Sequence, residues 1–165
     1  MLPAWRRFEN RDEGETLIEV LVAVVIMGLV GVAVVAGLML AATASDIHRK
    51  ETTSGAYVRS YAEAIQNYVS QTHLVGGVPT TNYQPCAAHD SYTPALVGFS
   101  VPTGYRASQS AALAVSPTGG TVACPTADTG VQLVTLTLTS ADNRATQTLA
   151  VILREACDPS VAPCT

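Results

Sequence analysis

The longest uncharged run constrains this chain more than any other feature. Val20 to Ala44 are 25 consecutive residues without a charged side chain. At about 1.5 Å per helical residue the run is roughly 37 Å long, which exceeds a hydrocarbon core of about 30 Å. Charged residues make up only 13% of the sequence, about half the usual share in soluble globular proteins. The run therefore predicts a membrane-inserted helix and argues against a wholly soluble cytosolic protein.

A secretory signal peptide is the first alternative for this run. The apolar part of such a signal has about 7–15 residues, so the run is too long by about ten. The preceding segment has zero net charge, because three arginines are balanced by three carboxylates: Arg6, Arg7, Arg11, Glu9, Asp12 and Glu13. In favour of a signal, Ala42-Thr43-Ala44 has the small residues of a cleavage site. Two alternatives therefore stay open, a secreted soluble β-domain released after Ala44 and a single-pass anchored surface domain.

A carboxylate interrupts the start of the apolar stretch. Glu19 follows Thr16, Leu17 and Ile18 and precedes Val20. An acid costs about 2.5–3.5 kcal/mol at mid-bilayer and less near an end, and intramembrane acids are usually functional. Taken alone, Glu19 fits a membrane boundary with its carboxylate among the headgroups equally well. The residues around it favour the functional interpretation.

The segment from Gly14 through Glu15-Thr16-Leu17-Ile18-Glu19-Val20 into the apolar run resembles the processing site of type IV prepilins and type II secretion pseudopilins. The resemblance covers Gly14 to about Ala44. It implies that a prepilin peptidase cuts after Gly14 on the cytoplasmic side and that Glu15 is N-methylated. It also implies that Glu19 pairs with the N-terminal amine of a neighbouring subunit and sets the register of assembly. The chain departs from the family in two ways, since the first mature residue is usually Phe or Met and the leader is usually more basic.

The same resemblance implies partners and a location. The partners are the prepilin peptidase and methyltransferase, other pilin or pseudopilin subunits, a membrane assembly platform and the lipid bilayer. The chain is expected to cross the cell membrane once, with its C-terminal domain extracytoplasmic, and then to enter a pilus or pseudopilus filament. The net charge of −4 argues against a nucleic-acid partner, because such proteins present a basic patch or stripe.

A helical pattern continues beyond the apolar run. Apolar residues at helical spacing form one face, which consists of Val58, Tyr61, Ile65, Tyr68 and Val69. This pattern predicts a single helix from Glu15 to about Gln71. The predicted organisation is a leader peptide at 1–14, a transmembrane half-helix at 15–44, an amphipathic half-helix at 45–74 and a β-domain at 75–165.

Alternating residues predict an antiparallel sheet in the C-terminal part. Valine and leucine alternate with threonine over Gln132–Thr139, and the alternation returns over Thr146–Arg154 after a turn. Odd-numbered apolar residues form the predicted inner face of an earlier strand region: Tyr105, Ala107, Ala111, Leu113 and Val115. Gly and Pro residues in 75–104 predict an irregular region with room for a short strand. The predicted fold class is α+β, a long N-terminal helix packed on a small antiparallel meander of three or four strands, which is also the pilin-like architecture.

All four cysteines follow the apolar run, and an even number in an exported region predicts disulfides. Three pairings are possible, and we favour Cys86 with Cys124 and Cys157 with Cys164, the latter tying a C-terminal loop. A zinc site with Cys86, His89 and Cys124 is the alternative, although the second half of a paired zinc motif is missing. We expect no metal.

Catalytic motifs are missing from the sequence. His48, His73 and His89 have no Ser or acid nearby in a triad-like setting, and no phosphate-binding glycine loop or metalloprotease motif is present. We therefore expect a chain that is not an enzyme and needs no cofactor. Most charged residues after residue 70 are predicted to be solvated surface: Asp90, Arg106, Asp128, Asp142, Arg144, Arg154, Glu155 and Asp158.

Overall fold

The structure is a computed structural model that describes residues 15–124 and 128–156. The chain divides between Ser45 and Asp46 into two compact units. One helix, α1 (Glu15–Ser70), runs through this boundary with 56 residues. Seven strands follow it: β1 (Thr72–Val75), β2 (Val78–Thr81), β3 (Tyr105–Gln109), β4 (Leu113–Val115), β5 (Thr121–Ala123), β6 (Val131–Ser140) and β7 (Thr146–Arg154). The fold is α+β, with a long N-terminal helix and antiparallel sheets, as the sequence predicted.

The first unit is the apolar part of α1. Within the described ranges α1 is the one helix that is long and apolar enough to cross a membrane, with a mean hydropathy of 2.9 in its most apolar window. None of that window is buried inside the protein. The predicted membrane-inserted run therefore forms a helix that is compatible with a single-pass anchor.

The second unit has its core between α1 and one face of the sheet. Tyr61 and Ile65 on the helix are fully buried, as are Val134, Leu136 and Leu138 on β6. Val58 and Val69 on the helix and Val151 and Leu153 on β7 complete the layer. The apolar helical stripe and the alternation in the two long strands thus face each other, which confirms the predicted packing of a helix on an antiparallel sheet.

Strand β6 is the centre of a five-stranded sheet. Strand β7 pairs with one edge of β6, while β3 and β4 share the other edge and β5 pairs with β4. All of these pairings are antiparallel. The sheet therefore has more strands than the three or four expected, and it is not a simple meander, because β6 skips β5 to pair with β3 and β4.

The predicted inner face of the Tyr105–Val115 region is wrong in its second half. Gln109 pairs with Leu136 and Leu113 pairs with Leu133, so the five residues at 109–113 lie opposite only four residues of β6, at 133–136. This one-residue excess is a β-bulge, and it exchanges the inner and outer faces of the residues that follow it in β4. Ala114 is fully buried in β4, whereas Leu113 is 39% exposed.

The predicted amphipathic half-helix at 45–74 ends early, at Ser70. The hairpin β1–β2 follows it, so β1 replaces the last residues predicted to be helical, and β2 is a short strand within the region expected to be irregular. The hairpin turn needs two residues with positive φ, and Gly76 (61°) and Gly77 (86°) supply them. The side chain of Asn82 donates a hydrogen bond to the Tyr68 carbonyl and so satisfies the end of α1 (3.0 Å).

Two buried glutamines hold the irregular segment between β2 and β3 against the sheet. Gln132 on β6 accepts a hydrogen bond from the Ala87 amide (3.1 Å) and donates one to the Gln84 carbonyl (3.0 Å). Gln109 on β3 accepts one from the Tyr92 amide (3.1 Å). These side-chain bonds replace the strand ladder that this segment lacks.

Candidate functional site

The motif that the sequence singles out lies on the first turns of α1. The helix begins at Glu15, and Glu19 lies one turn further, about 6 Å along the axis. Leu17, Ile18 and Val20 expose 78%, 64% and 62% of their surface. The described part of the motif therefore presents uncovered side chains.

The surface of α1 remains apolar and uncovered far beyond the motif. Every large hydrophobic side chain from Leu17 to Leu40 is exposed, and the fraction ranges from 48% at Val22 to 79% at Met27. A Cβ atom added at Gly28 or Gly31 would meet nothing within 4 Å. Monomeric soluble proteins rarely expose a continuous apolar surface of this size. The exposed surface of this part of α1 is compatible with surroundings of lipid or other helices.

Glu19 carries the only charge between Leu17 and Ser45. Within the described ranges no hydrogen bond or ion pair joins its side chain to another residue. A carboxylate near a helix N-terminus is favoured by the helix dipole by about 0.3–1 kcal/mol, whereas an amine there is disfavoured. Glu19 is therefore a carboxylate without a partner among the described residues at one end of an apolar surface, and an amine created at Glu15 would need an anionic partner.

A disulfide joins Cys86 and Cys124, which is the pairing that the sequence favoured. Asp128 supports it, because its carboxylate accepts hydrogen bonds from the Cys86 amide (2.7 Å), the Gly130 amide (2.9 Å) and the Tyr83 hydroxyl (2.8 Å). Burial and the bond to Asp128 raise the pKa of Tyr83 well above its usual range. Asp128 is thus an internal acceptor rather than a solvated surface residue, and its partners are too distant in sequence to have signalled this.

The zinc alternative does not have its ligands here, because Cys86 and Cys124 are bonded to each other. His89 lies in the segment between β2 and β3 and contacts Asp90 (3.0 Å). His48 is on α1 and His73 is on β1. Among residues 15–124 and 128–156, no group of three or more His, Cys, Asp or Glu side chains is placed to hold a metal ion.

A charged cluster ties α1 to the turn between β6 and β7. The Lys50 ammonium lies 2.7 Å from a carboxylate oxygen of Asp46 and 2.7 Å from one of Asp142. Ser140 also donates a hydrogen bond to Asp142 (2.6 Å). The bond to Lys50, followed by that from Ser140, holds the pKa of Asp142 well below its usual range. Asp142 therefore also has a structural role that the sequence did not indicate.

Several predicted site residues lie outside the described residues. They are Gly14 of the cleavage site and Cys157 and Cys164 of the C-terminal loop. The leader at 1–14 and the disulfide-tied loop therefore stay predictions, as do cleavage and methylation at Glu15.

Comparisons with known proteins give no relative. No protein-family model, curated protein or solved structure matches the chain. The candidate function therefore comes from the residues and contacts described above.

Proposed function

We propose that the chain is a structural subunit, a minor pilin or pseudopilin, of a type IV pilus-like or type II secretion-like filament. A prepilin peptidase removes the leader after Gly14, and Glu15 becomes the methylated N-terminus. The apolar half of α1 first lies in the membrane and then in the filament core. The helix–sheet unit lies on the extracytoplasmic side.

The observation that carries this proposal is the single carboxylate at the end of an uncovered apolar helix. Glu19 has no partner among the described residues, and the side chains around it are exposed. A free amine at Glu15 would be a second unpaired charge one turn away. Burying either charge alone is costly, whereas the carboxylate of one subunit can pair with the amine of a neighbour displaced along the filament. The pair would then fix the axial register between neighbouring subunits more than it would stabilise the filament.

The test is the mass of the mature N-terminus in membranes that contain a prepilin peptidase. The proposal predicts a chain that begins at Glu15 and carries one N-methyl group. A chain that begins at Ser45 would indicate a secreted β-domain. A chain that begins at Met1 would indicate a plain single-pass anchor. Either of these two results would contradict the proposal.

A substitution at the cleavage site gives the matched control. We expect Gly14→Leu to block processing, because a peptidase that accepts a residue without a side chain cannot seat leucine there. The full-length chain should then accumulate in the membrane, while Gly14→Ala retains part of the processing. Normal maturation of Gly14→Leu, measured by the same mass determination, would contradict the prepilin interpretation.

A further inference from the structure

Among residues 15–124 and 128–156, nothing covers one long edge of the five-stranded sheet. Strand β7 pairs with β6 alone. Two hydrogen bonds just outside the paired residues, from the Ser140 amide to the Ala145 carbonyl and from the Glu155 amide to the Gly130 carbonyl, show which residues of β7 bond to β6. Odd-numbered residues of β7 therefore bond to β6, and even-numbered residues direct their backbone N–H and C=O groups outward. In the part of the chain that the structure describes, these outward groups have no hydrogen-bond partner, and their residues are exposed.

The open edge borders a groove on the side of α1. The groove has a volume of about 500 Å³ and is lined by four residues of β7, Leu149–Ile152, and by Ala62, Glu63 and other residues of α1. Natural edge strands are usually blunted by lysine, proline or a bulge. Strand β7 has no proline or lysine, and its only charge is Arg154 at its end. An uncovered edge of this kind can accept an added strand.

The hairpin β1–β2 is the second surface that no other described part of the chain covers. Leu74, Val75 and Val78 expose 71%, 57% and 61% of their surface. An isolated two-stranded hairpin is only marginally stable in water, so such a hairpin gains from a further strand. No side chain of β1 is buried within the described structure.

The hairpin has one open edge and one blunted edge. The two-residue turn makes Val75 and Val78 a hydrogen-bonded pair. The bond from the Asn82 amide to the Gln71 carbonyl fits the same alternation of hydrogen-bonded and non-hydrogen-bonded pairs along the hairpin. Thr72 and Leu74 therefore direct their backbone groups away from β2. The corresponding outward position of β2 is Pro79, which has no N–H to donate. Only β1 offers a complete edge.

We propose that β1 of one copy adds to the β7 edge of a second copy, antiparallel, with Leu74 opposite Ala150. This register places Thr72 opposite Ile152, so the two outward residues of β1 meet two outward residues of β7 at the same spacing. The four residues of β1 also match the four residues of β7 that line the groove.

The side chains fit the same register. Residues of β1 between the outward ones fall on the α1 side of the sheet, which places Val75 beside Leu149 and Ala62. It places His73 opposite Val151, next to the exposed carboxylate of Glu63, which has no ion-pair partner among the described residues. On the other face, Leu74 lies diagonal to Ile152, which is 49% exposed in one copy. The pairing thus covers apolar side chains from both surfaces.

The contact uses different surfaces on the two copies. The first copy uses its hairpin and the second copy uses its β7 edge. The β7 edge of the first copy and the hairpin of the second copy therefore stay available for further copies. Such a heterologous contact continues from copy to copy instead of closing as a two-fold dimer. The contact between copies rests on the proposed function for its biological setting. It supplies the contact between helix–sheet units that a filament requires.

Cross-linking of the full-length chain in membranes tests the contact. Leu74→Cys and Ala150→Cys variants with different tags are expressed together and oxidised. Cα atoms of a hydrogen-bonded antiparallel pair lie about 5.5 Å apart, within the range that a disulfide spans. We expect a dimer that carries both tags and, from the doubly substituted chain, a ladder of larger species. A chain with Leu96→Cys, an exposed apolar position outside the hairpin, should give no dimer with Ala150→Cys.

Peptide mapping of the Cys86–Cys124 disulfide shows that each variant is folded. The proposed contact would be overturned by any of three results. These are the absence of the mixed dimer, a link formed only inside one doubly substituted chain, and a link from Ala150→Cys to a different protein. If the chain matures at Glu15 and enters filaments without the mixed dimer, the contact alone is refuted. If the mixed dimer forms although the chain begins at Met1 or Ser45, the contact stands and the filament function is refuted.

Discussion

The hydroxyl of Tyr61 shows how the helix–sheet unit uses polar groups inside its core. Tyr61 donates a hydrogen bond to the Tyr92 carbonyl, and its ring stacks on Phe99 at 5.1 Å. Burial, with a smaller contribution from the charge of Asp90, raises the pKa of Tyr61 to about 12. This hydroxyl must stay protonated to donate its hydrogen bond, so the fold depends on the neutral form of Tyr61.

This dependence predicts a loss of stability at alkaline pH. An unfolded tyrosine ionises near pH 10, whereas Tyr61 in the folded chain keeps its proton to about pH 12. Because the unfolded state loses protons first, the contribution of Tyr61 to the free energy of unfolding should be constant below about pH 10 and fall as the pH rises from 10 to 12. Thermal unfolding of the full chain in detergent measures this slope. Tyr61→Phe should reduce the slope, and an unchanged slope in that variant would show that Tyr61 does not contribute.

At the scale of elements, long periodic segments could be predicted from the sequence and the short irregular ones could not. The stripe on α1 and the alternation over Gln132–Thr139 each carry enough apolar residues to define a buried face. The bulge between β3 and β4 depends on which residues of β6 they meet, which no local pattern contains. The β1–β2 hairpin was not predicted, because two adjacent glycines are typical both of an irregular region and of a two-residue turn, and Gly76 and Gly77 form the turn.

The burial of side chains on the central strand β6 predicts how much a core substitution lowers the free energy of unfolding. Leu136 is fully buried on β6 and belongs to the core against α1. We expect Leu136→Ala to lower the free energy of unfolding by about 2–5 kcal/mol, because it removes buried methyl groups and leaves a cavity. Thr148→Ala, at an exposed position of β7, should change it by less than about 0.5 kcal/mol. Equal effects of the two variants in denaturant unfolding would contradict the described core.

At the scale of the whole molecule, an apolar helix and a disulfide-bonded helix–sheet unit are joined in one chain. The candidate site was predictable in its motif residues, because Glu19 stands out against an uncharged run. The internal role of Asp128 was not predictable, because its partners Tyr83 and Cys86 lie more than 40 residues away in sequence. Long-range hydrogen bonds leave no periodic pattern in a single sequence.

The proposed extracytoplasmic location of the helix–sheet unit predicts the oxidation state of its cysteines. We expect non-reducing peptide mapping of the exported chain to link Cys86 to Cys124 and Cys157 to Cys164, with no free thiol. Oxidising compartments keep such bonds and the cytosol does not. Four reduced cysteines in the native protein would contradict an extracytoplasmic location.

The central claim is that Glu19 acts in assembly and not merely at a membrane boundary. The most direct measurement compares the amount of wild-type and Glu19→Ala chain in the sheared filament fraction with that in the membrane fraction. We expect Glu19→Ala to be inserted, cut after Gly14 and folded, but absent from filaments, because an amine buried without its partner costs about 3–5 kcal/mol. Glu51→Ala, which removes a half-exposed carboxylate of the same helix, and Glu15→Phe should both assemble normally. Wild-type levels of Glu19→Ala in the filament fraction would contradict the account.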